Sequence, residues 1–166
     1  LFDLARPLDP SELRAAETFA EEVTAEFYPA AGQEPGFAMP WAKLDGRFMF
    51  RPGEVCILAG TNGSGKSELA GHVLLGALDQ GERACVASLE FRPAKWLKRL
   101  TRQAAACRTP SQEHIAAVHR WYSGKLWAFD VTGTAKADRI LEVFDYAARR
   151  YGIRLFVIDN LAKAGA

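Results

Sequence analysis

A glycine-rich octet, GTNGSGKS, occupies residues 60–67 and carries the clearest chemical signal in the chain. It satisfies the pattern G-x-x-x-x-G-K-S, whose glycines let the backbone turn tightly and aim its N–H groups at a polyphosphate. A helix that begins at the lysine would add the positive end of its dipole at the same place. The octet therefore predicts a nucleotide-binding loop. Its predicted binding residues are Gly60, Thr61, Asn62, Gly63, Ser64, Gly65, Lys66 and Ser67.

The last two residues of the octet have the most specific predicted roles. The ammonium group of Lys66 is expected to bridge the β- and γ-phosphates, which makes it a candidate catalytic residue as well as a binding residue. The hydroxyl group of Ser67 is expected to bind Mg²⁺. The predicted cofactors are therefore Mg²⁺ and ATP, with dTTP or another NTP as the other possible nucleotides.

Two carboxylates follow apolar runs in other parts of the chain. RLFVIDN places Asp159 at the end of a hydrophobic strand, where it can orient Mg²⁺ or its water shell. CVASLEFRP places Glu90 at the end of another strand, where it can polarise an attacking water as a catalytic base. The alternative interpretations are a turn residue for Asp159 and a helix-capping residue for Glu90.

The segments around these residues alternate between strand and helix patterns. Apolar runs predict strands at residues 54–60, 83–90, 125–131 and 153–160, with Cys56 and Cys85 as core residues. Helices are predicted at residues 66–81, 93–108, 134–151 and, from a cap signature at Thr109, Pro110 and Gln112, up to Tyr122. Continuous apolar strands that alternate with helices are typical of an α/β fold with a mostly parallel sheet covered on both faces.

The N-terminal 35 residues predict a separate element. DPSELRAAETFAEEVTAEF has the pattern of an amphipathic helix, with Asp9 as N-cap and Pro10 and Glu12 in the first turn. A Pro-, Gly- and Ala-rich tether follows, so residues 1–35 are assigned to the helix and tether and residues 36–166 to the main domain. The helix could fold back on that domain or dock on a neighbouring subunit. Its apolar stripe comprises Leu13, Ala16, Phe19, Ala20, Val23 and Phe27.

Composition and charge restrict the classes of function. The chain has 166 residues, of which 49% are hydrophobic and 25% charged, and its net charge is +1. These values are typical of a soluble globular domain, and a nucleic-acid partner would have to be met by a local patch. No apolar run approaches the roughly 20 residues of a membrane span, so no membrane partner is expected. Three cysteines in unlike contexts favour a reducing compartment, no metal-binding cluster is predicted around the histidines, and the first residue, Leu1, indicates a piece of a longer protein.

In combination, these motifs resemble the RecA-like motor domain of DnaB-type replicative helicases, in particular the phage primase–helicases and Twinkle-like proteins. The resemblance rests on FRPGEVCILAGTNGSGKS, SLEFRP and FVIDNL, together with GFAMPWAKLDGRF ahead of the loop, and it extends over residues 36–166. It implies a RecA-like P-loop NTPase fold that is truncated after the strand ending in Asp159. It also implies that Glu90 activates water and that Asp159 is associated with the metal.

The resemblance further implies a hexameric ring that hydrolyses NTP and translocates 5′ to 3′ on single-stranded DNA. The arginine finger, the γ-phosphate sensor and most of the DNA-binding loops are expected beyond Ala166. A helix ahead of the motor packs on the next subunit in this family, which favours docking of the N-terminal helix on a neighbour. The implied location is the cytoplasm of a bacterial host or a phage-infected cell.

Two other functions share this set of motifs. A RecA- or RadA-type recombination ATPase has the same loop, glutamate and aspartate, but it forms filaments. A nucleotide-gated binding or loader module would bind NTP tightly with little turnover. The basic segment at residues 92–108 could contact DNA, although such a face is more often simply solvated.

Overall fold

The computed structural model describes residues 13–28, 36–44, 46–130 and 137–159. The chain divides into two compact units, Leu1–Glu34 and Pro35–Ala166. In the first unit, a 3₁₀ helix at Ala16–Phe19 leads directly into α1, Ala20–Phe27, and neither helix contains a buried residue. The cap predicted at Asp9, Pro10 and Glu12 lies outside the described residues.

In its described ranges, the second unit contains two groups of strands and four α-helices. A two-stranded antiparallel ribbon comes first, with a 3₁₀ helix at Ala42–Leu44 between its strands. None of the helices in the described ranges is both long enough and apolar enough to cross a membrane. The strands are β1 (Phe37–Ala38), β2 (Met49–Phe50), β3 (Ala84–Ser88), β4 (Leu126–Phe129) and β5 (Leu155–Asp159), and the helices are α2 (Lys66–Asp79), α3 (Pro93–Ala104), α4 (Gln112–Tyr122) and α5 (Ala137–Tyr151).

The main sheet is parallel and has the order β4-β3-β5. Its register pairs Ser88 with Asp159, the last residues of β3 and β5. The N–H of Leu89 also donates to the carbonyl oxygen of Asp159 at 2.8 Å. The carboxyl ends of β3 and β5 therefore lie level at one edge of the sheet. The α/β fold with a parallel sheet, predicted from the alternation of strands and helices, is confirmed.

Helices cover both faces of β3, all five residues of which are buried. Cys85 and Ala87 point to one side, where they pack with residues of α5 such as Ile140 and Phe144. Ala84 and Val86 point to the other side, into a cluster formed by residues of α2, α3 and α4. That cluster contains Leu74, Leu78, Trp96, Leu100, Val118 and Tyr122. Because neighbouring residues of a strand face opposite sides, a continuous apolar run was the correct signal for this central strand.

The strand predicted at residues 54–60 is not present. This segment pairs with no described strand, and its side chains are exposed, with Val55 at 88% and Ile57 at 75%. Cys56, predicted to be a core residue, is also exposed, whereas Cys85 is buried as predicted. The apolar composition of residues 54–60 favours burial, which is why a strand was predicted there. A strand also needs a neighbour that accepts and donates its backbone hydrogen bonds, and no described strand lies beside it.

Three helix ends differ from the prediction, the first being that of α2, which was predicted to reach residue 81 and ends at Asp79. The helix predicted to reach Arg108 ends at Ala104, and Ala106 follows in a left-handed conformation with φ of 47°, which cannot continue a helix. The N-cap of α4 is Ser111 rather than Thr109, and its hydroxyl accepts a hydrogen bond from the N–H of His114 at 3.2 Å. The helix predicted from residue 134 is described from Ala137 onward, since residues 131–136 lie outside the described ranges.

Candidate nucleotide site

The phosphate loop is a tight turn that leads directly into α2. Gly63 and Gly65 have φ angles of 76° and 87°, in the left-handed region that favours glycine. Gly65 is the N-cap of α2, and none of the described side chains caps that helix end. The first N–H groups of α2 are therefore available at the loop, where they can accept an anion.

Lys66 folds back onto this loop. Its ammonium group donates to the carbonyl oxygens of Gly60 and Thr61 at 2.7 and 2.8 Å. A Cβ atom added to Gly60 would lie 2.9 Å from the hydroxyl oxygen of Ser64 and 3.7 Å from Cδ of Lys66. The loop thus wraps closely around the lysine and holds its positive charge beside the backbone turn.

A cavity of about 520 Å³ opens beside the loop. Its polar wall consists of loop residues, among them Thr61, Ser64 and Lys66, and its other wall contains Ile57, Leu58 and Leu69. This volume is within the usual range for small-molecule sites, and a mostly apolar wall with a few polar groups is typical of them. The exposed segment that was predicted to be a strand therefore forms one side of this cavity.

Ser67 lies on the first turn of α2, where that helix packs against α3. It lines a second, small cavity together with Trp96 and Gln103 of α3. The side-chain amide of Gln103 donates to the carbonyl oxygen of Glu68 at 3.0 Å and also to the Glu68 carboxylate. A Cβ atom at Gly71 would lie 2.6 Å from Oε1 of Gln103, so the glycine leaves room for this side chain in its present position between α2 and α3.

Asp159 ends β5 and is only partly buried. Oδ2 of its carboxylate accepts a hydrogen bond from Nε1–H of Trp96 at 3.3 Å. The Ser67 hydroxyl and the Asp159 carboxylate are hard oxygen donors of the kind that Mg²⁺ prefers, so both residues fit the predicted metal. Trp96 contacts Asp159 directly and shares a cavity with Ser67.

Glu90 is exposed in the bend between β3 and α3. The bend is tightened by a hydrogen bond of 3.2 Å from the N–H of Phe91 to the hydroxyl group of Ser88. The N-cap of α3 is Arg92, and Pro93 opens the helix. Because β3 and β5 end level, Glu90 and Asp159 come to the same edge of the sheet, as their positions in the sequence predicted.

Sequence reasoning missed the roles of Trp96 and Gln103. In the sequence, Trp96 is one of four tryptophans in unlike contexts, and such a residue predicts no more than a filler of the core or of an interface. Trp96 is indeed buried, at 4% exposure, but its N–H also holds a candidate site residue. A usable signal existed, because a buried indole N–H normally finds a hydrogen-bond partner. The sequence alone could not say which residue that partner is.

Comparison with known proteins places this site in a family. A family model described as an AAA domain matches residues 42–166, which include the phosphate loop, Glu90 and Asp159. The match covers well over half of the chain. The chain belongs to this AAA domain family. P-loop domains of this kind generally bind nucleotide together with Mg²⁺.

The chain is also similar in sequence to a larger protein. The chain is 26% identical over 169 residues to the Twinkle homolog protein, chloroplastic/mitochondrial, of Arabidopsis thaliana. The similarity covers 93% of this chain and 24% of the relative, so the chain spans about a quarter of the relative's length. Together with the AAA domain match, it confirms the resemblance to a DnaB-type, RecA-like helicase motor domain.

Proposed function

We propose that this AAA domain belongs to the NTP-hydrolysing motor of a hexameric replicative DNA helicase that unwinds DNA 5′ to 3′. The observation that carries the proposal is the register between β3 and β5, which brings Glu90 and Asp159 to one edge of the sheet. A phosphate loop alone would serve many nucleotide-binding proteins. Two carboxylates at that edge are what a hydrolase needs in addition, one for the metal and one for the water.

The proposed roles follow from the position and chemistry of each group. Lys66 binds the β- and γ-phosphates of ATP, dTTP or another NTP, with the N–H groups of the loop and of the start of α2. Ser67 and Asp159 would hold Mg²⁺, which neutralises charge on the phosphates when it is bound. Glu90 is the catalytic base that orients and polarises the attacking water. Its exposed position in the bend after β3 leaves this carboxylate accessible to solvent.

The proposed partners are single-stranded DNA and further copies of the same protein. Contact with DNA is expected mainly through parts beyond Ala166, and the copies would assemble into a ring. The N-terminal helix α1 would dock on a neighbouring copy. The proposed location is the cytoplasm of a bacterial host or a phage-infected cell.

The decisive experiment measures NTP hydrolysis by the full-length parent protein with and without single-stranded DNA. We expect DNA to stimulate turnover. The substitution Lys66→Ala should weaken nucleotide binding strongly, because it removes the positive charge beside the loop. Glu90→Gln should leave nucleotide binding nearly intact and lower turnover by about 10²- to 10⁴-fold, the usual contribution of a general base.

Matched controls are available on the surface of the same domain. Lys43→Ala and Glu142→Gln change an exposed lysine and an exposed glutamate outside the site, and both should leave turnover unchanged. Undiminished hydrolysis by Glu90→Gln would remove the catalytic assignment. Filaments with strand exchange would point instead to a recombination ATPase, and tight binding with negligible turnover to a nucleotide-gated module.

A further inference from the structure

Trp96 makes a contact that its role in the core does not require. Its indole ring lies in the apolar cluster between the sheet and helices α2, α3 and α4, beside residues such as Leu78 and Val86. Its single polar atom, Nε1, donates to Oδ2 of Asp159 at 3.3 Å. Packing alone could be provided by a phenylalanine. The N–H group adds a directed contact to a candidate metal-binding carboxylate.

Trp96 also lies close to Ser67, the other residue proposed to hold Mg²⁺. The small cavity between α2 and α3 is lined by both Trp96 and Ser67. The indole is therefore a direct neighbour of Asp159 and lines the same cavity as Ser67, the two residues proposed to hold Mg²⁺. Tryptophan can donate a hydrogen bond but cannot accept one or coordinate a hard cation, so it can act only by orienting its neighbour.

We propose that Trp96 is a positioning residue that fixes the orientation of the Asp159 carboxylate for Mg²⁺. The indole N–H holds Oδ2 and thereby restricts rotation of the carboxylate, and Oδ1 would remain available to the metal or its water shell. Among the described residues, Oδ1 accepts no hydrogen bond. This inference rests on the proposed function of Asp159.

The helix that carries Trp96 also follows Glu90 directly. The chain passes from Glu90 through a short bend into α3. In the first turn of that helix, the backbone N–H of Trp96 donates to the carbonyl oxygen of Arg92 at 3.2 Å. One rigid turn of helix therefore lies between the bend that carries Glu90 and the indole that holds Asp159. Trp96 fixes Asp159 relative to the same structural element that positions Glu90.

The test compares Trp96→Phe with Trp121→Phe in the full-length parent protein. Both substitutions keep an aromatic ring in the same apolar cluster, but only the first removes the N–H that contacts Asp159. Binding of a fluorescent ATP analogue is titrated with Mg²⁺ and repeated in EDTA. Groups that orient a metal-binding side chain typically contribute about 10- to 100-fold to metal affinity.

We expect Trp96→Phe to raise the Mg²⁺ concentration for half-maximal effect by about tenfold and to leave binding in EDTA unchanged. Trp121→Phe should change neither value, and Asp159→Asn should weaken the Mg²⁺ effect at least as much as Trp96→Phe. An unchanged Mg²⁺ titration for Trp96→Phe, beside a weakened one for Asp159→Asn, would overturn the positioning role and leave the proposed function standing. If the wild-type parent binds no nucleotide, the proposed function and this inference both fail. If Asp159→Asn has no effect, the metal role of Asp159 and this inference fail together.

A second measurement needs no substitution of Trp96. In the chain with an intact indole, Asp159→Ala removes the acceptor of the hydrogen bond. Hydrogen exchange at the indole N–H of Trp96, followed by NMR, should then become faster, while exchange at Trp41, Trp121 and Trp127 stays the same. Equal exchange at Trp96 before and after the substitution would contradict the contact on which the proposal depends.

Discussion

Two charged side chains of the site are held by neighbours of different origin. Lys66 donates to backbone carbonyl groups five and six residues earlier in its own loop. Asp159 is held by an indole group 63 residues away in the sequence. The first interaction follows from the local geometry of a glycine-rich loop. The second exists only because α3 packs against the end of β5.

The exposure of the three cysteines also depends on where each lies in the fold. Cys85 is buried in β3, and burial raises the pKa of its thiol to about 11. Cys56 and Cys107 are exposed. The thiolate is the reactive species, so both burial and the raised pKa protect Cys85 from alkylation.

We therefore expect two thiols of the native chain to react quickly with a thiol reagent at pH 8 and the third to react slowly. The rise from 9.0 to about 11 in the pKa of Cys85 lowers its thiolate fraction about 100-fold, and limited access slows it further. The time course is followed by mass spectrometry, and Cys56→Ser identifies one of the two fast sites. If Cys56 were protected in the native chain, the segment at residues 54–60 would be buried, and its exposed position would be wrong.

At the scale of elements, α4 shows how a single side chain defines a helix start. The Ser111 hydroxyl accepts from the N–H of His114, one of the backbone donors that have no partner within the helix. The pKa of Glu113, in the first turn, is lowered because its carboxylate accepts a hydrogen bond from the backbone N–H of Glu113 and a further one from the Ser111 side chain. The cap signature was correctly placed to within two residues, but the residue that caps the helix was not identified.

Removing this cap should destabilise the domain. Ser111→Ala leaves the N–H of His114 without its partner, and the loss of such a cap costs about 1 kcal/mol. Urea denaturation should show a lower midpoint with an unchanged m-value. Ser123→Ala, at the other end of α4, is the matched control and should have little effect, because the C-cap is formed by its backbone N–H. Equal losses for the two variants would contradict the capping role of Ser111.

At the scale of the whole molecule, the helical segment of the first unit carries an apolar stripe. Val23 and Phe27 of α1 lie four residues apart, on one side of the helix, and are 49% and 76% exposed. Apolar residues in such a pattern normally pack against another surface. This apolar pattern supports the proposal that α1 docks on a neighbouring copy.

Deletion of residues 1–30 from the full-length parent should therefore reduce its oligomer size. Mass photometry in the presence of Mg²⁺ and nucleotide is expected to show a hexamer for the parent and smaller species for the deletion variant. The point substitution Phe27→Asp should have the same effect, because it places a charge in the apolar stripe. Glu26→Ala, on an exposed polar position beside it, is the control. An unchanged mass distribution after the deletion would exclude the docking role of the helix.

Local patterns were enough to predict most of the elements and the candidate site. The octet at residues 60–67, the buried β3 and the strand-terminal Asp159 are encoded by neighbouring residues, because backbone turns and apolar periodicity act over short distances. They identify the class of ligand and the α/β fold without reference to the rest of the chain.

Packing between distant segments determined the remaining features. The segment at residues 54–60 has the composition of a strand, but pairing depends on a neighbour with a free edge, and no described strand provides it. The contact of Trp96 with Asp159 and that of Gln103 with Glu68 depend on how closely α3 approaches α2 and the sheet. An apolar or polar side chain shows what kind of partner it needs, and only the folded chain decides which residue fills that place.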